Sequence, residues 1–292
     1  MPDIPTRYLI KHYLKQIRWR TRRLRVVMRY SADELHNAPI ILGNAMPKSG
    51  SHLLTQILEG LTELGPFVDP GFPPVNRSEG NLPLLPEKVQ QNLQAMRPGD
   101  IRYGYIHARE PYLSLLTQPN WATFFIYRDP RDMLVSHVFY AKDMYEGHGM
   151  HDYYNRHLTT MEARLNASIA GVTEPGYELS SVRQRYDSYI GWLTQPGVLC
   201  LKFEDLILNR ESTLGSIIDH LSAFGRPFQL SASKDEAIAI LAAHIVPRKS
   251  GTFRKGQPGN WREHFTEGNK ALFKEVAGDL LERLGYEENG DW

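Results

Sequence analysis

The stretch IILGNAMPKSGSHLLTQIL, residues 40–58, decides how the rest of the chain is read. Residues 39–46 form a nearly continuous apolar run, the pattern of a strand buried on both faces of a parallel sheet. Leu53, Leu54, Ile57, Leu58 and Leu61 then recur at helical spacing, which predicts a helix from Ser51 to about Thr62. Between strand and helix stand Pro47, Lys48, Ser49 and Gly50. A helix start exposes unpaired N–H groups and a partial positive charge. A glycine there lets the loop curl its amides around an oxyanion. Lys48 adds a full charge, and Ser49 and Ser51 add hydroxyl donors. These residue types in this order make a phosphate cradle. The plainer alternative is a capped turn with a solvated lysine.

The loop is not that of the common nucleoside triphosphatases, G-x-x-x-x-G-K-S/T. Here the lysine precedes Gly50, and no Gly-Lys-Ser or Gly-Lys-Thr occurs in the chain. The 292 residues are 41% hydrophobic and 23% charged, which places the chain among soluble globular proteins and suits one large α/β domain. No apolar run reaches the roughly 18 residues of a membrane span, and no export signal is recognised at the N-terminus. The single cysteine, Cys200, excludes an intramolecular disulfide and suits a reducing, cytoplasmic setting.

Charge is uneven. Residues 1–32 carry nine Lys or Arg and one acid, so this segment stands at +8 and the remainder at −7. Tyr8, Leu9, Ile10, Tyr13, Leu14 and Ile17 lie among those charges at near-helical spacing. The expectation is a basic N-terminal helical segment, residues 1–32, ahead of a domain spanning 33–292. Its residues 7–29 could touch an anionic membrane surface or an acidic partner, or present a solvated basic face. The acidic balance elsewhere argues against nucleic acid as a partner.

Apolar runs at 39–46, 101–107, 122–127 and 198–203, with helical patterns between them, predict a mostly parallel sheet covered by helices. Residues 66–86, with six prolines, and residues 143–181 are candidate lids. The segment from about Asn269 to Leu284 reads as a packing helix. Two further anion signals lie near strand ends. Arg128 directly follows the run at 122–127, where open α/β sheets place ligands, and Ser136 stands eight residues later on the expected helix. RKSGTFRKGQPGNWREHF, residues 248–265, is basic and glycine-punctuated. Three such signals around one sheet suggest a nucleotide with phosphates at both ends.

This constellation resembles the sulfotransferases that use 3′-phosphoadenosine 5′-phosphosulfate (PAPS), in their bacterial-type branch. Pro47 to Leu53 match the family's Pro-Lys-Ser-Gly-Thr-Thr-Trp, Arg128 and Ser136 its second pattern, and Arg254, Lys255, Gly256, Gly259, Asn260 and Trp261 its third. LKFEDL, residues 201–206, resembles a further family stretch. The resemblance implies a P-loop-like three-layer α/β/α fold and sulfuryl transfer, without a metal, to a hydroxyl or, less favoured, an amine of a small or lipid-like acceptor. It implies that Lys48, Ser49, Gly50, Ser51 and His52 hold the 5′-phosphosulfate, with Lys48 also catalytic. Arg128, Ser136, Arg254, Lys255 and Gly256 would hold the 3′-phosphate, and Phe253 would pack on the adenine. The product would be 3′-phosphoadenosine 5′-phosphate (PAP). His107, ending RYGYIH, is the expected general base, with Glu110 in reserve. Many bacterial relatives carry the histidine at the position of Tyr105, which strand alternation puts on the same face as His107. Leu53 stands where the family has tryptophan. His137, His148, His151 and His264 are expected at the surface or in packing. A P-loop kinase and a non-catalytic nucleotide-binding adaptor are the competing readings. The oligomeric state is open.

Overall fold

A computed structural model describes residues 21–68, 74–78, 81–246 and 256–292. Its centre is a four-stranded sheet. Strand β1 (Ile40–Ala45) leads through the lysine loop into helix α1 (Ser51–Leu64); β2 (Ile101–Gly104), β3 (Trp121–Tyr127), helix α2 (Pro130–Phe139) and β4 (Val198–Lys202) follow. The order is β2-β1-β3-β4 with every pairing parallel, in the register Ile41↔Ile101, Gly43↔Phe124 and Thr123↔Val198. The chain turns one way from β1 to β2 and the other way to β3. The loops after β1 and β3 therefore diverge and leave a crevice at the sheet's carboxyl edge, the place where open α/β sheets bind ligands.

Every residue of β1 and β3 is buried, and the alternation of each strand feeds two cores. Leu42, Phe125 and Tyr127 join one apolar cluster; Ile41, Ala45, Phe124 and Ile126 join the other, on the opposite face. Each of the leucine, isoleucine and phenylalanine side chains contributes about 1.5–3 kcal/mol through burial. Helix α1 packs so closely on β1 that a Cβ at Gly43 would stand 2.5 Å from Leu58 Cδ1. That contact aims the first turn of α1 over the crevice. Layers of helix on both faces make the three-layer α/β/α arrangement expected from the apolar runs.

Strand β2 is shorter than its apolar run. It ends at Gly104 because two asparagine side chains take over the next backbone groups. Asn76 Nδ2 donates to Tyr105 O (2.8 Å), and Tyr105 N–H donates to Asn76 Oδ1 (3.2 Å). Buried Asn44 donates to Ile106 O (2.9 Å) and accepts from Ile106 N–H (2.8 Å). Strict strand alternation therefore stops before Tyr105 and His107. The C-terminal helix is likewise divided, into Glu267–Ala277 and Leu280–Arg283, by a positive-φ glycine at Gly278.

The helix over residues 21–29 is the described part of the basic N-terminal segment, and residues 1–20 lie outside the described residues. Arg23 is not a solvated charge: it pairs with the buried Asp100 at 2.9 Å and donates to Pro98 O.

Replacing Asn44 leaves the Ile106 N–H unpaired in a dry site, whereas Ile106 O keeps the Trp192 Nε1 donor at 2.8 Å. Asn44→Ala should therefore lose about 1–3 kcal/mol, read as a lower urea midpoint at unchanged slope.

Candidate active site

The lysine loop is bent by two left-handed residues. Lys48 has φ +66° and Gly50 φ +98°. Ser49 between them is fully buried with no partner for its Oγ. A Cβ at Gly50 would stand 2.6 Å from the Phe203 ring, so close approach and backbone angle both require glycine there. Lysine gains nothing from a left-handed conformation, and non-glycine residues hold it at functional sites against a cost of about 1–3 kcal/mol. Gly50 caps α1 without a side-chain bond, so the first-turn amides of the helix face the crevice unpaired.

The crevice is a cavity of about 470 Å³. Lys48, Gly50, Ser51, His52, Arg128, Ser136 and Gly256 all line it, and Gly50 and Arg128 approach the same Phe203 ring. The structure thus brings together the described parts of all three anion signals. Phe253, Arg254 and Lys255 lie outside the described residues, as does Phe72 of the first candidate lid.

Arg128 stands at the end of β3, buried, with its guanidinium 4.4 Å from the Phe203 ring centroid. Its nearest carboxylates are distant, Asp132 at 3.8 Å and Glu204 at 4.0 Å, and its Nε has no hydrogen-bond partner. The neighbouring Arg131 is structural. It is clasped by Asp129 at 2.7 Å and Glu287 at 2.5 Å and stacks on Trp261 and Trp292. Asp132 accepts from the backbone N–H of Gly259 (2.7 Å) and Trp261 (2.8 Å), which clamps the Gly-Asn-Trp stretch onto α2. Asn260 is carried to the cavity wall by that clamp, buried, with both amide atoms unpartnered.

Lys48 Nζ lies 3.6 Å from the Tyr140 ring centroid, a cation–π contact. Burial, reinforced by repulsion from Arg128, brings the Lys48 pKa down to about 8.

Comparison with known proteins decides the family. The sequence model of the sulfotransferase domain matches residues 40–285. The chain belongs to the sulfotransferase domain family. A curated relative, the 3-alpha-hydroxysteroid sulfotransferase of Cavia porcellus, is 26% identical over 174 residues, 54% of this chain and 55% of the relative. The match thus spans about half the length of that relative. Two solved structures share the fold. Mouse sulfotransferase SULT7A1 complexed with PAP gives a TM-score of 0.57 at 18% identity, covering 88% of this chain and 90% of that one. Retinol dehydratase in complex with androsterone and inactive cofactor PAP gives 0.54 at 16% identity, covering 85% and 83%.

In this sulfotransferase domain the expected base is not on the cavity wall. His107 lies past the end of β2, exposed, with its ring edge-on to Tyr189 at 4.9 Å. Glu110 is exposed too, and its carboxylate accepts from Ser114 Oγ at 2.7 Å. Tyr105 lines the cavity instead, its hydroxyl bonded to Ser51 Oγ at 3.0 Å.

Three imidazoles reach the wall: His52, His137 and His148. Burial lowers the pKa of each, and Lys48 repels the charged form of all three, so all are neutral near pH 7. His148 Nδ1 accepts the Met150 N–H at 3.1 Å. That fixes the proton of neutral His148 on Nε2, which makes it a donor and not a base. His137 is buried with Nδ1 3.0 Å from Ser168 Oγ. His52 has no ring-nitrogen partner among the described residues.

Sequence reasoning missed Tyr105, Tyr140, His148 and Asn260 as wall residues. Asn260 sat within the third matched pattern, and Tyr140 lies one turn beyond Ser136; His148 carried no local signal.

In the ligand-free domain Lys48 sheds its proton as pH passes about 8, whereas a phosphate dianion beside it keeps the amine charged. PAP affinity should accordingly fall as pH rises above about 8. Calorimetric titration of Lys48→Met should show affinity weaker by about tenfold or more at pH 7 and flat to higher pH. Without ligand, the unfolded chain keeps this proton up to 10.5, so Lys48 makes stability rise between about 8 and 10.5.

Proposed function

We propose that this domain transfers a sulfuryl group from PAPS to a hydroxyl on a small acceptor with an apolar body. The observation that carries this reading is a single cavity with two loosely compensated cations. Lys48 stands beside the uncapped start of α1 and Arg128 beside Ser136 on α2. The unsatisfied Arg128 Nε and the unpartnered Asn260 amide are the donor set that a bis-phosphorylated adenosine would occupy. Tyrosine side chains at 105, 140 and 145 give the rest of the wall its apolar character.

In this proposal the loop amides, Lys48, Ser51 and His52 hold the 5′ end, with Ser49 and Gly50 shaping the loop. Arg128, Ser136 and the backbone at Gly256 hold the 3′-phosphate, and Asn260 lies beside them. Arg254, Lys255 and Phe253 are assigned to the 3′-phosphate and adenine by resemblance alone. PAPS, when bound, supplies the sulfuryl group and leaves as PAP. Lys48 stabilises the negative charge that grows on the departing 5′-phosphate oxygen, more in the transition state than before it. His148 Nε2–H is a fixed donor for the equatorial oxygens. His52 takes the acceptor proton, because it is neutral and its ring nitrogens are unengaged. The side chains otherwise act by placement, holding the reacting atoms in line. The kinase alternative is not favoured: the described wall has one carboxylate, Asp132, and it is committed to the backbone N–H groups of Gly259 and Trp261.

The test is PAP binding and PAPS turnover with labelled sulfur over alcohols and phenols. PAP should raise the melting temperature without magnesium. Lys48→Ala should cut turnover by about 10²–10³. His52→Ala should cut it by about 10², far more than it weakens PAP binding, and His107→Ala should change it less than about threefold. PAP binding with no transfer to any acceptor would favour the adaptor reading.

We also propose a cytoplasmic domain that meets anionic membranes at their surface. Exposed Leu24 and Met28 share the helix over residues 21–29 with Arg22, Arg25 and Arg29, which supports this. Among the described residues no helix is long and apolar enough to cross a membrane. Co-sedimentation with phosphatidylserine vesicles should exceed that with phosphatidylcholine vesicles and be lost in Leu24→Glu/Met28→Glu.

A further inference from the structure

We infer that the acceptor of this domain carries a negative charge, and that Arg77 selects it. The inference rests on the sulfotransferase reading and concerns the cavity cation that is not assigned to PAPS.

Arg77 lines the cavity, half-buried. Its Nη1 donates to Asn81 O at 2.9 Å, and its guanidinium carbon lies 5.6 Å from the Tyr105 ring centroid. Among the described residues no carboxylate pairs with it, and Asp132, the one carboxylate of the described wall, is already bound elsewhere. A partly desolvated guanidinium keeps four further N–H donors and wants an oxyanion.

Its position is built and not incidental. The reciprocal pair between Asn76 and the Tyr105 backbone, at 2.8 and 3.2 Å, ties the residue before Arg77 to the chain beyond β2. Tyr105 in turn reaches Ser51 of the lysine loop at 3.0 Å. One rigid relay thus sets Arg77 at the distance of a tyrosine ring from the sulfuryl-binding end. Its charge acts on the hydroxyls of Tyr103, Tyr140 and Tyr189, partly offsetting the burial that raises their pKa values. Lys48, by contrast, is repelled by Arg128. With Lys48 and Arg128 matched to phosphates, Arg77 is the described wall's cation left for the acceptor. A hydroxyl facing Lys48 and His52 with a carboxylate, phosphate or sulfate about one aromatic ring away would satisfy it. An ammonium there would be repelled.

The probes are 4-hydroxyphenylacetate, 4-ethylphenol and tyramine, three phenols of one size with anionic, neutral and cationic tails. Each is titrated calorimetrically into the PAP-saturated protein and then assayed with PAPS. The anion should bind at least about tenfold tighter than the neutral phenol, and the cation weakest. Arg77→Gln should level the anion with the neutral phenol, Arg77→Lys should keep part of the preference, and PAP affinity should stay within about twofold in both. Equal or reversed preference in the wild-type protein overturns the inference without needing any variant to fold. So does a loss of PAP affinity of about tenfold in Arg77→Gln, which would assign the guanidinium to the nucleotide. Failure of the wild-type protein to bind PAP at all would sink the sulfotransferase reading and this inference with it; PAP binding without anion preference sinks this inference alone.

Discussion

Two positive charges share one crevice, Lys48 with no carboxylate partner among the described residues and Arg128 with none nearer than 3.8 Å, and they set the terms for this fold. Lys48 rests on a tyrosine face, and Arg128 keeps an unsatisfied Nε 3.8–4.0 Å from its nearest acids. A protein interior does not hold such groups without compensation unless something else supplies it. The parallel strand order, the left-handed loop and the uncapped helix start all converge on the same spot.

The Arg128-Asp129-Pro130-Arg131-Asp132 run shows how the charge is kept free. Four residues earlier in the helix turn, Arg128 could have paired closely with Asp132; instead Asp132 is drawn away by two backbone N–H donors from the Gly-Asn-Trp stretch. Asp129 is drawn to Arg131, which Trp261 and Trp292 cover. Arg128 therefore lines the cavity without a close carboxylate, while Asp129 pairs with Arg131 and Asp132 anchors the Gly-Asn-Trp stretch. The same clamp brings Asn260 of the C-terminal stretch to the cavity wall.

The histidines divide by tautomer. Burial and the field of Lys48 keep the wall imidazoles neutral, but a neutral imidazole can either give or take a proton at a given nitrogen, not both. The Met150 N–H settles that choice for His148 as a donor, and no such bond constrains His52. The cavity wall also carries three phenol rings, those of Tyr105, Tyr140 and Tyr145, and the guanidinium of Arg77.

Much of the fold was legible in the residues. Apolar runs marked four core strands, because a strand buried on both faces has no polar side to write. The lysine loop declared itself because a phosphate cradle demands glycine, cation and helix start in adjacent positions. Runs that end against a side chain were less legible: nothing local in IRYGYIH says that Asn44 and Asn76 will claim the backbone at Tyr105 and Ile106, so the strand stops early and His107 swings out. His148 and Arg77 are distant in sequence from the anion motifs and obey no spacing rule. The sequence by itself thus determined the layers of the sheet and the left-turning lysine loop between strand and helix, since both depend on neighbours along the chain. Which imidazoles and which further cation line the cavity was decided only by the tertiary structure, because those positions depend on hydrogen bonds between segments that no local pattern records.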